Sequence, residues 1–574
     1  MTTESPWGMR SGRVVAALPV VMALMAGLAL RLWMLRSVFQ VNGDSLVYGG
    51  LAKNLLLHGQ YDLTTAMGKM YPTLIRLPGY PIFLAGCFWL FGMENYYAAS
   101  CVQIGLDLIG CLLLAGFARR IAPAAISRSA MLVTLWLAVL CPFTASYTAE
   151  PLTETLTIFV LALAMWAMAR FRAKPNWADA LWFTAAVSSA TMLRPDGALA
   201  AIVFAFFLSW RRIQDVRGVI FPGPQGRRIS TPRTWAHPWG SRSEGARRSS
   251  RNSVAPTGLG LSGRRIPRTA SARAVLSWAI FLRSLRELLP GFKGETGGTL
   301  KRMNQTSDPM MTPGSPTRFG RMAAVCVLLA LTPVAVWTAR NWRVFHVIEP
   351  LAPRLATDPG ESSNPGWERW MKSWCLDYIS TYQIYWNVPG DQLDVEELPN
   401  RAFDSPAQYA ETAALAADYN GHGMELTPEI DARFGRLADE RIAANPLRSY
   451  VWLPLGRLAD MWLRPRVEDM DIDLDWWVYS HHRAETRFCW AYAGLNAVFL
   501  ALGIVGLCFR PRFWGAMLAY IVLRSALLLT VEAPETRYTL ECFPMLIVCG
   551  GVAIAWMMGP RKNASGNVET SLRS

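Results

Sequence analysis

A short stretch near the N-terminus carries an aspartate in a position that suits proton transfer. It reads Asn42-Gly43-Asp44-Ser45-Leu46-Val47-Tyr48. Asp44, Tyr48 and Leu51 recur at i, i+4 and i+7, so a helix places all three on one face. The pattern leaves two roles for Asp44. It caps the start of this helix, or its carboxylate faces a cavity and accepts a proton from an incoming hydroxyl group.

An arginine follows in the same segment of the chain. Arg76 stands directly before the turn Leu77-Pro78-Gly79-Tyr80-Pro81, which opens a short apolar run. A guanidinium group in this position is suited to bind a phosphate through parallel hydrogen bonds. The alternative is that Arg76 only extends to the phosphates of the surrounding lipids.

Further polar groups stand at the ends of later apolar segments. They are Glu150, Glu154, Arg194, Arg537 and Tyr538. Placing a charged group near the ends of membrane-spanning segments costs free energy, and such groups often line a functional site. Each one alone also fits a helix cap or an interface anchor. All of them fall on the same predicted side of the membrane as Asp44 and Arg76. Their convergence therefore predicts one site.

Runs of about twenty apolar residues predict ten membrane-spanning helices. These runs are residues 14–35, 96–117, 130–147, 153–171, 177–193, 198–210, 322–339, 488–509, 513–530 and 539–558. A further run, 79–90, is too short to span and fits a re-entrant or juxtamembrane helix. The predicted fold class is an all-α polytopic membrane protein with a mostly helical extracytoplasmic domain.

The net charge of +15 is concentrated in one segment of an otherwise apolar chain. Residues 211–321 hold 21 basic and 5 acidic side chains, whereas the whole chain is 52% hydrophobic and 17% charged. Because basic loops stay in the cytoplasm, this segment and the arginines that follow other spans place Asp44 on the outer side of the membrane. The charge thus predicts an orientation, and nucleic acid is not an expected partner.

The spans and the charge divide the chain into six predicted parts. In order, they are a transmembrane module (1–210) with the first loop (37–95), a basic, largely disordered cytoplasmic loop (211–320), a transmembrane helix (321–340), the large loop (341–487) as an extracytoplasmic domain, three transmembrane helices (488–559) and a cytoplasmic tail (560–574). The predicted location is the bacterial cytoplasmic (inner) membrane, with the site facing the periplasm or the cell exterior.

Six motifs follow one another in an order typical of a known group. They are GDSLVYGGLAKNLLLHGQY, RLPGYPIFLAGCFWLFG, AEPLTE, LRPDG, ARNWRVF and ETRYTLECFP. This order resembles the GT-C membrane glycosyltransferases, in particular the protein O-mannosyltransferase and lipid A aminoarabinose transferase group (glycosyltransferase family 39-like). The resemblance covers most of the chain outside 211–321 and implies a GT-C fold.

The resemblance also implies roles for the candidate residues. Asp44 corresponds to the catalytic aspartate of the first loop, although Ser45 stands where many members have Glu. Glu150 or Glu154 corresponds to the second acidic position, and Arg76 to a basic contact of the donor phosphate. The predicted site comprises catalytic Asp44, Glu150 and Glu154, donor phosphate-binding Arg76, Arg194 and Arg537, and the substrate-groove residues Tyr48, Lys53, Tyr80 and Tyr538.

These expectations describe an inverting glycosyltransferase with Asp44 as the general base. Its partners are a polyprenyl-phosphate sugar donor, membrane lipids, and a protein, lipid A or glycan acceptor of the cell envelope. No residue matches the metal-ligating His of some members, so no cofactor is firmly predicted and a divalent cation stays open. Two alternatives remain: an O-antigen ligase-like transferase with its key residues in the large loop, or a polyprenyl-lipid flippase or transporter, which predicts internal repeats.

Overall fold

The computed structural model describes residues 6–208 and 316–559, apart from 42, 66, 354–356, 362, 471 and 474. The chain divides into two units, Met1–Arg212 with Ala324–Ser574, and Ile213–Ala323. Of the second unit, only the start of one helix is described. The predicted basic loop up to residue 315 and the predicted tail 560–574 lie outside the described residues.

The described chain is mostly helical. Its helices are α1 (Pro6–Ser37), α2 (Asp44–His58), α3 (Gly79–Phe91), α4 (Tyr96–Ile121), α5 (Ser127–Val139), α6 (Pro142–Ser146), α7 (Thr153–Ala173), α8 (Trp177–Leu193), α9 (Pro195–Leu208), α10 (Pro316–Phe345), α11 (Pro365–Lys372), α12 (Pro406–Gly421), α13 (Pro428–Ala444), α14 (Leu453–Leu463), α15 (Arg483–Cys508), α16 (Trp514–Leu528) and α17 (Phe543–Met557). A 3₁₀ segment, Thr536–Cys542, leads directly into α17.

Six helical segments of the described chain are long and apolar enough to cross a membrane. They are Ala17–Ser37, Tyr96–Ile121, Thr153–Ala173, Arg321–Phe345, Arg483–Cys508 and Thr536–Met557. Their length and composition confirm the prediction of a helical, multi-pass membrane protein. The helices α3, α9 and α16 and the segment Ala124–Val139 are apolar but shorter, so the count of ten spans stays a prediction.

The structure divides the predicted span 130–147 into two helices. α5 ends at Val139, and α6 begins at Pro142. Between them Cys141 has an extended conformation, because a proline ring disfavours the helical conformation of the residue before it. The two helices replace one continuous span and lead into the segment that carries Glu150 and Glu154.

The first loop folds into a helix, a hairpin and a second helix. After α2, strand β1 (Asp62–Thr64) pairs antiparallel with strand β2 (Met70–Pro72). Asn54 of α2 donates from its side chain to the Asp62 carbonyl oxygen at 2.8 Å and to Thr64 Oγ1 at 3.0 Å. These bonds attach the hairpin to α2, the helix that begins with Asp44.

The start of α3 lies directly against the end of α8. A Cβ atom at Gly79 would lie 2.6 Å from the carbonyl oxygen of Met192, so this approach requires glycine. The contact brings the segment that follows Arg76 next to the residues that precede Arg194.

The main apolar core lies among α4, α5, α7, α15 and α17, and one ion pair is buried beside it. Arg31 of α1 is fully buried and donates from Nε to Asp107 Oδ2 of α4 at 2.6 Å. Its Nη1 donates to the carbonyl oxygens of Gly27 at 2.9 Å and Val139 at 2.8 Å. Because a charge in an apolar interior needs a partner, the pair holds α1, α4 and α5 together.

The large loop has its own aromatic core and contacts the first loop. Trp370 is fully buried and its ring centroid lies 5.0 Å from that of Phe434. Asp358 Oδ1 accepts a hydrogen bond from the backbone N–H of Leu74 at 2.7 Å, and Arg340 Nη1 donates to the carbonyl oxygen of Thr73 at 2.8 Å. These bonds fix the chain just before Arg76.

Candidate functional site

Within the described residues, nine charged side chains from separate parts of the chain form one connected group, which we call the ion-pair cluster. Its members are Asp44, Arg76, Glu154, Arg194, Asp196, Arg524, Glu535, Arg537 and Glu541. Five of them are predicted site residues, namely Asp44, Arg76, Glu154, Arg194 and Arg537. The first loop, α7, the start of α9 with its N-cap Arg194, α16 and the segment before α17 each contribute.

Asp44 lies at the more exposed end of the ion-pair cluster, with 27% of its side chain accessible. It is the first residue of α2, but Gly43 is the N-cap and no side chain caps this helix. Arg76 Nη2 donates to Asp44 Oδ1 at 2.7 Å, and Arg537 Nη2 donates to Asp44 Oδ2 at 3.3 Å. The carboxylate therefore contacts two arginines, and it does not take the helix-capping role that the sequence left open.

The two arginines keep Asp44 ionised. Burial acts to raise the pKa of Asp44, but the charges of Arg537 and Arg76 and their hydrogen bonds outweigh burial and lower that pKa below its ordinary value. An ionised carboxylate accepts hydrogen bonds and protons and has no proton to donate. Asp44 thus has the protonation state that a general base needs, although it is a weak base while both arginines contact it.

Arg194 extends the cluster toward the protein interior. Its Nη1 donates to Glu154 Oε1 at 2.8 Å, and its Nε lies 3.0 Å from Glu541 Oε1 and 3.5 Å from Asp196 Oδ1. The same Glu154 oxygen lies 4.0 Å from Arg537 Nε. Glu154, which is almost fully buried, therefore connects the exposed half of the cluster with the buried half.

Sequence reasoning missed two members of the buried half, Arg524 and Glu541. Arg524 is fully buried in α16. It forms an ion pair with Asp196, its Nη2 lies 3.2 Å from Glu541 Oε1, and its Nε donates to the Tyr538 carbonyl oxygen at 3.1 Å. The available signal was a single charged residue in the run 513–530, since a lone arginine in an apolar span needs a partner.

Two predicted groove residues pack together behind Asp44. The rings of Tyr48 and Tyr80 meet edge to face at 5.1 Å, and the Tyr80 hydroxyl donates to Gln103 Oε1 at 2.7 Å. Burial and the charge of Asp44 raise the pKa of Tyr48 to about 12. The Tyr48 hydroxyl is therefore a proton donor to a hydrogen bond at neutral pH, not an anion.

The other two predicted groove residues differ in their positions. The ring centroid of Tyr538 lies 5.7 Å from the guanidinium carbon of Arg194 and 5.7 Å from that of Arg537. Tyr538 is therefore part of the ion-pair cluster's wall. Lys53 is not brought to the cluster: its side chain is exposed and forms an ion pair with Glu94 at 3.1 Å.

Glu150, the remaining predicted catalytic residue, pairs with Asp469 of the large loop. The two side chains share a hydrogen bond, and the Glu150 carbonyl oxygen accepts from Gln103 at 2.7 Å. Burial, with the charge of Glu154, raises the pKa of Glu150, and burial, with Glu150, raises the pKa of Asp469 well above its ordinary value. Two carboxyl groups in contact share a proton, because both cannot ionise at low cost.

The arrangement combines two chemical capacities. At its exposed end, a partly accessible carboxylate lies beside two guanidinium groups, so a proton acceptor and an anion-binding site are adjacent. At its buried end, Arg524 and Glu541 are closed to solvent. Solvent therefore reaches the cluster at Asp44 and Arg76, whereas the ion pairs of Arg524 and Glu541 lie behind them in the interior.

Comparison of the chain with models of protein families and with curated proteins finds no match. Among solved structures, the chain is similar to the crystal structure of ArnT from Cupriavidus metallidurans in the apo state. The identity is 13% and the TM-score 0.31, over 95% of this chain and 77% of that chain.

Proposed function

We propose that the protein is an integral-membrane GT-C glycosyltransferase that transfers a sugar from a polyprenyl-phosphate-linked donor to a cell-envelope acceptor. The observation that carries the proposal is the contact of Asp44 with both Arg76 and Arg537. Sugar transfer from a phosphate carrier to a hydroxyl group requires a proton acceptor next to a phosphate-binding group. The resemblance of the first-loop motifs supports the same reaction class.

The donor phosphate binds to the arginines that now contact Asp44. Arg76 and Arg537 each use one nitrogen on the carboxylate, and both are partly accessible. A phosphate offers oxygens that match the planar fork of a guanidinium group better than a single carboxylate oxygen does. Donor binding therefore draws at least one arginine away from Asp44.

This exchange activates Asp44 as the base. The charges of Arg537 and Arg76 lower the pKa of Asp44, so loss of one contact raises its affinity for a proton. Asp44 then takes the proton of the acceptor hydroxyl as the oxygen attacks the anomeric carbon with inversion. The arginines stabilise the negative charge that develops on the departing phosphate.

The buried half of the cluster positions the reacting groups. Glu535 pairs with the Nε of Arg537, and Glu154 lies between Arg537 and Arg194, so the two carboxylates orient the guanidinium group that contacts Asp44. Arg194 is the innermost of the three proposed phosphate contacts. A phosphate that binds to it has to displace the carboxylate of Glu154 or Glu541. Glu150, with Asp469, holds a shared proton close to this region and acts as a second acidic group of the site.

The site faces the outside of the bacterial inner membrane in this proposal. The basic residues 211–321 stay in the cytoplasm, which leaves the first loop and the large loop on the opposite side. The sugar arrives on a lipid whose polyprenyl tail lies among the apolar helices. Protein, lipid A and glycan acceptors all offer the hydroxyl group that Asp44 deprotonates.

The proposal is tested by reconstituting the purified protein in liposomes with a radiolabelled polyprenyl-phosphate sugar and an extract of cell-envelope acceptors. We expect label to leave the lipid donor and enter the acceptor fraction, and we expect no transfer from a nucleotide sugar. Movement of intact labelled lipid between leaflets without transfer would identify a flippase. Transfer that needs a pyrophosphate-linked glycan would identify a ligase-like enzyme. Either result would overturn the proposal.

A further inference from the structure

A second group of ligand-type side chains lies in the large loop, just before α15. The ring of His482 has a carboxylate at each nitrogen: Nδ1 lies 3.0 Å from Asp473 Oδ2, and Nε2 lies 3.1 Å from Asp475 Oδ1. A ligating histidine commonly binds its ion with one ring nitrogen while an acidic residue holds the other nitrogen, and the two carboxylates at His482 match this arrangement.

Two successive turns bring the ligands together. The Val478 N–H donates to the Asp475 carbonyl oxygen at 2.8 Å, and the Val478 carbonyl oxygen accepts from the His481 and His482 N–H groups at 3.0 and 3.1 Å. The chain thereby returns on itself, and donor atoms of Asp475, His481 and His482 all lie within 4.8 Å of one another. Atoms bound to one zinc ion are separated by about 3–3.5 Å, so small side-chain rotations suffice.

The local charge favours a bound cation. Asp473, Asp475 and Glu485 surround His482, with a Glu485 oxygen 3.8 Å from its Nδ1. The two neighbouring arginines, Arg483 and Arg487, lie over the ring of Tyr479, and neither is among the residues that form an ion pair with these carboxylates in the described part of the chain. Arg487 also donates to the Tyr479 hydroxyl at 3.0 Å.

We propose that Asp475, His481 and His482 bind a zinc ion. Two imidazole nitrogens and one carboxylate oxygen are ligands that zinc prefers, and they leave a fourth position for water. Asp473 and Glu485 support His482 from its other nitrogen, as acidic residues commonly do for ligating histidines. The ion links the turn after Asp475 to the start of α15 and so stabilises the end of the large loop. This site is separate from the ion-pair cluster and does not depend on the proposed transferase activity.

The test uses the purified full-length protein in nanodiscs, freed of metal with a chelator and titrated with zinc chloride in a calorimeter. We expect one zinc ion per chain at this site and a higher melting temperature when it is bound. Loss of a residue that only supports a ligand lowers metal affinity by about 10–100-fold. Because His481 is a proposed ligand, His481→Gln should lower the affinity for zinc by more than that. The matched control is His422→Gln, since His422 is an exposed histidine that contacts the Asp418 carbonyl oxygen.

Three results would overturn the proposal. One is the absence of zinc binding by the wild-type protein, which would leave His482 only as a hydrogen-bonding contact of the two aspartates. Another is unchanged binding in His481→Gln with loss in His482→Gln, because the ion would then lie among Asp473, His482 and Glu485. The third is equal weakening by His422→Gln. Asp475→Asn, which keeps both histidines, serves as a second ligand variant if His481→Gln fails to fold.

Discussion

Arg537 donates a hydrogen bond to Asp44 across 493 residues of the chain, with 3.3 Å between its Nη2 and the carboxylate oxygen. Asp44 begins the helix of the first loop, whereas Arg537 lies in the 3₁₀ segment that leads into α17. The contact connects an N-terminal loop with the segment before the last helix through one carboxylate. It also supplies one of the two positive charges that lower the pKa of Asp44.

The first prediction concerns the phosphate-binding arginines. Arg76→Lys and Arg537→Lys keep the charge but lose the planar fork, so each should raise the KM for the polyprenyl-phosphate donor about tenfold, in line with loss of a charge-assisted hydrogen bond. Initial rates of sugar transfer at varied donor concentration measure the effect. Arg369→Lys in the large loop, where Arg369 pairs with exposed Asp439, is the control. Unchanged donor KM in both variants would contradict a phosphate-binding role.

The second prediction concerns the buried half of the ion-pair cluster. Arg524→Leu removes the fully buried one of the two arginines that pair with Asp196 and Glu541, and Arg194 keeps its contacts with both. Loss of the only partner of a buried charge costs about 3–5 kcal/mol, which is the upper limit for this variant. We expect a marked decrease in the melting temperature of the purified protein. The matched control, Arg512→Leu, changes an exposed arginine in the turn before α16 and should have little effect. Similar melting temperatures for the two variants would show that Arg524 does not stabilise the fold.

The third prediction concerns pH and the Glu150–Asp469 pair. The pKa values of both carboxyl groups are raised in the folded protein, first by burial, above the ordinary values of about 4.3 for Glu and about 3.9 for Asp. Between the unfolded and folded values the folded state binds more protons. The pair's contribution to the free energy of unfolding is therefore greatest below about pH 4 and decreases as the pH rises through the folded pKa values.

Glu150→Gln removes one of the two carboxyl groups and with it the loss of unfolding free energy that their ionisation causes at higher pH. We expect its melting temperature to exceed that of the wild type at about pH 8, and the difference to shrink at about pH 4, where the wild-type pair is protonated. Thermal unfolding at both pH values measures it, with the exposed Glu411→Gln as the control. A difference that is independent of pH would mean that the two carboxyl groups do not share a proton.

The first loop is the part of the site that sequence reasoning describes best. Asp44 and Arg76 both lie in the first loop, and the helix predicted at 79–90 corresponds to α3, Gly79–Phe91. The residues that form a turn and the length of an apolar run are local features, so neighbouring residues are enough to predict them. The same reasoning left the capping role of Asp44 open, because only the tertiary contacts with Arg76 and Arg537 show where its oxygens point.

The partners that come from distant segments could not be predicted. Asp469 is one of many acidic residues in the large loop, and nothing local marks it as the one that contacts Glu150. Lys53 is a predicted groove residue, yet its side chain pairs with Glu94. Arg524 carried a signal, a lone charge in an apolar span, but its partners Asp196 and Glu541 depend on how α9, α16 and α17 pack.

The most direct test of the account replaces Asp44 by Asn and measures sugar transfer from the polyprenyl-phosphate donor in reconstituted liposomes. Loss of a general base should reduce turnover by about 10²–10⁴-fold while the protein stays folded and inserted. Asp62→Asn, which changes another aspartate of the first loop outside the ion-pair cluster, should keep its turnover. Near-wild-type turnover of a folded Asp44→Asn protein would contradict the assignment of Asp44 as the base.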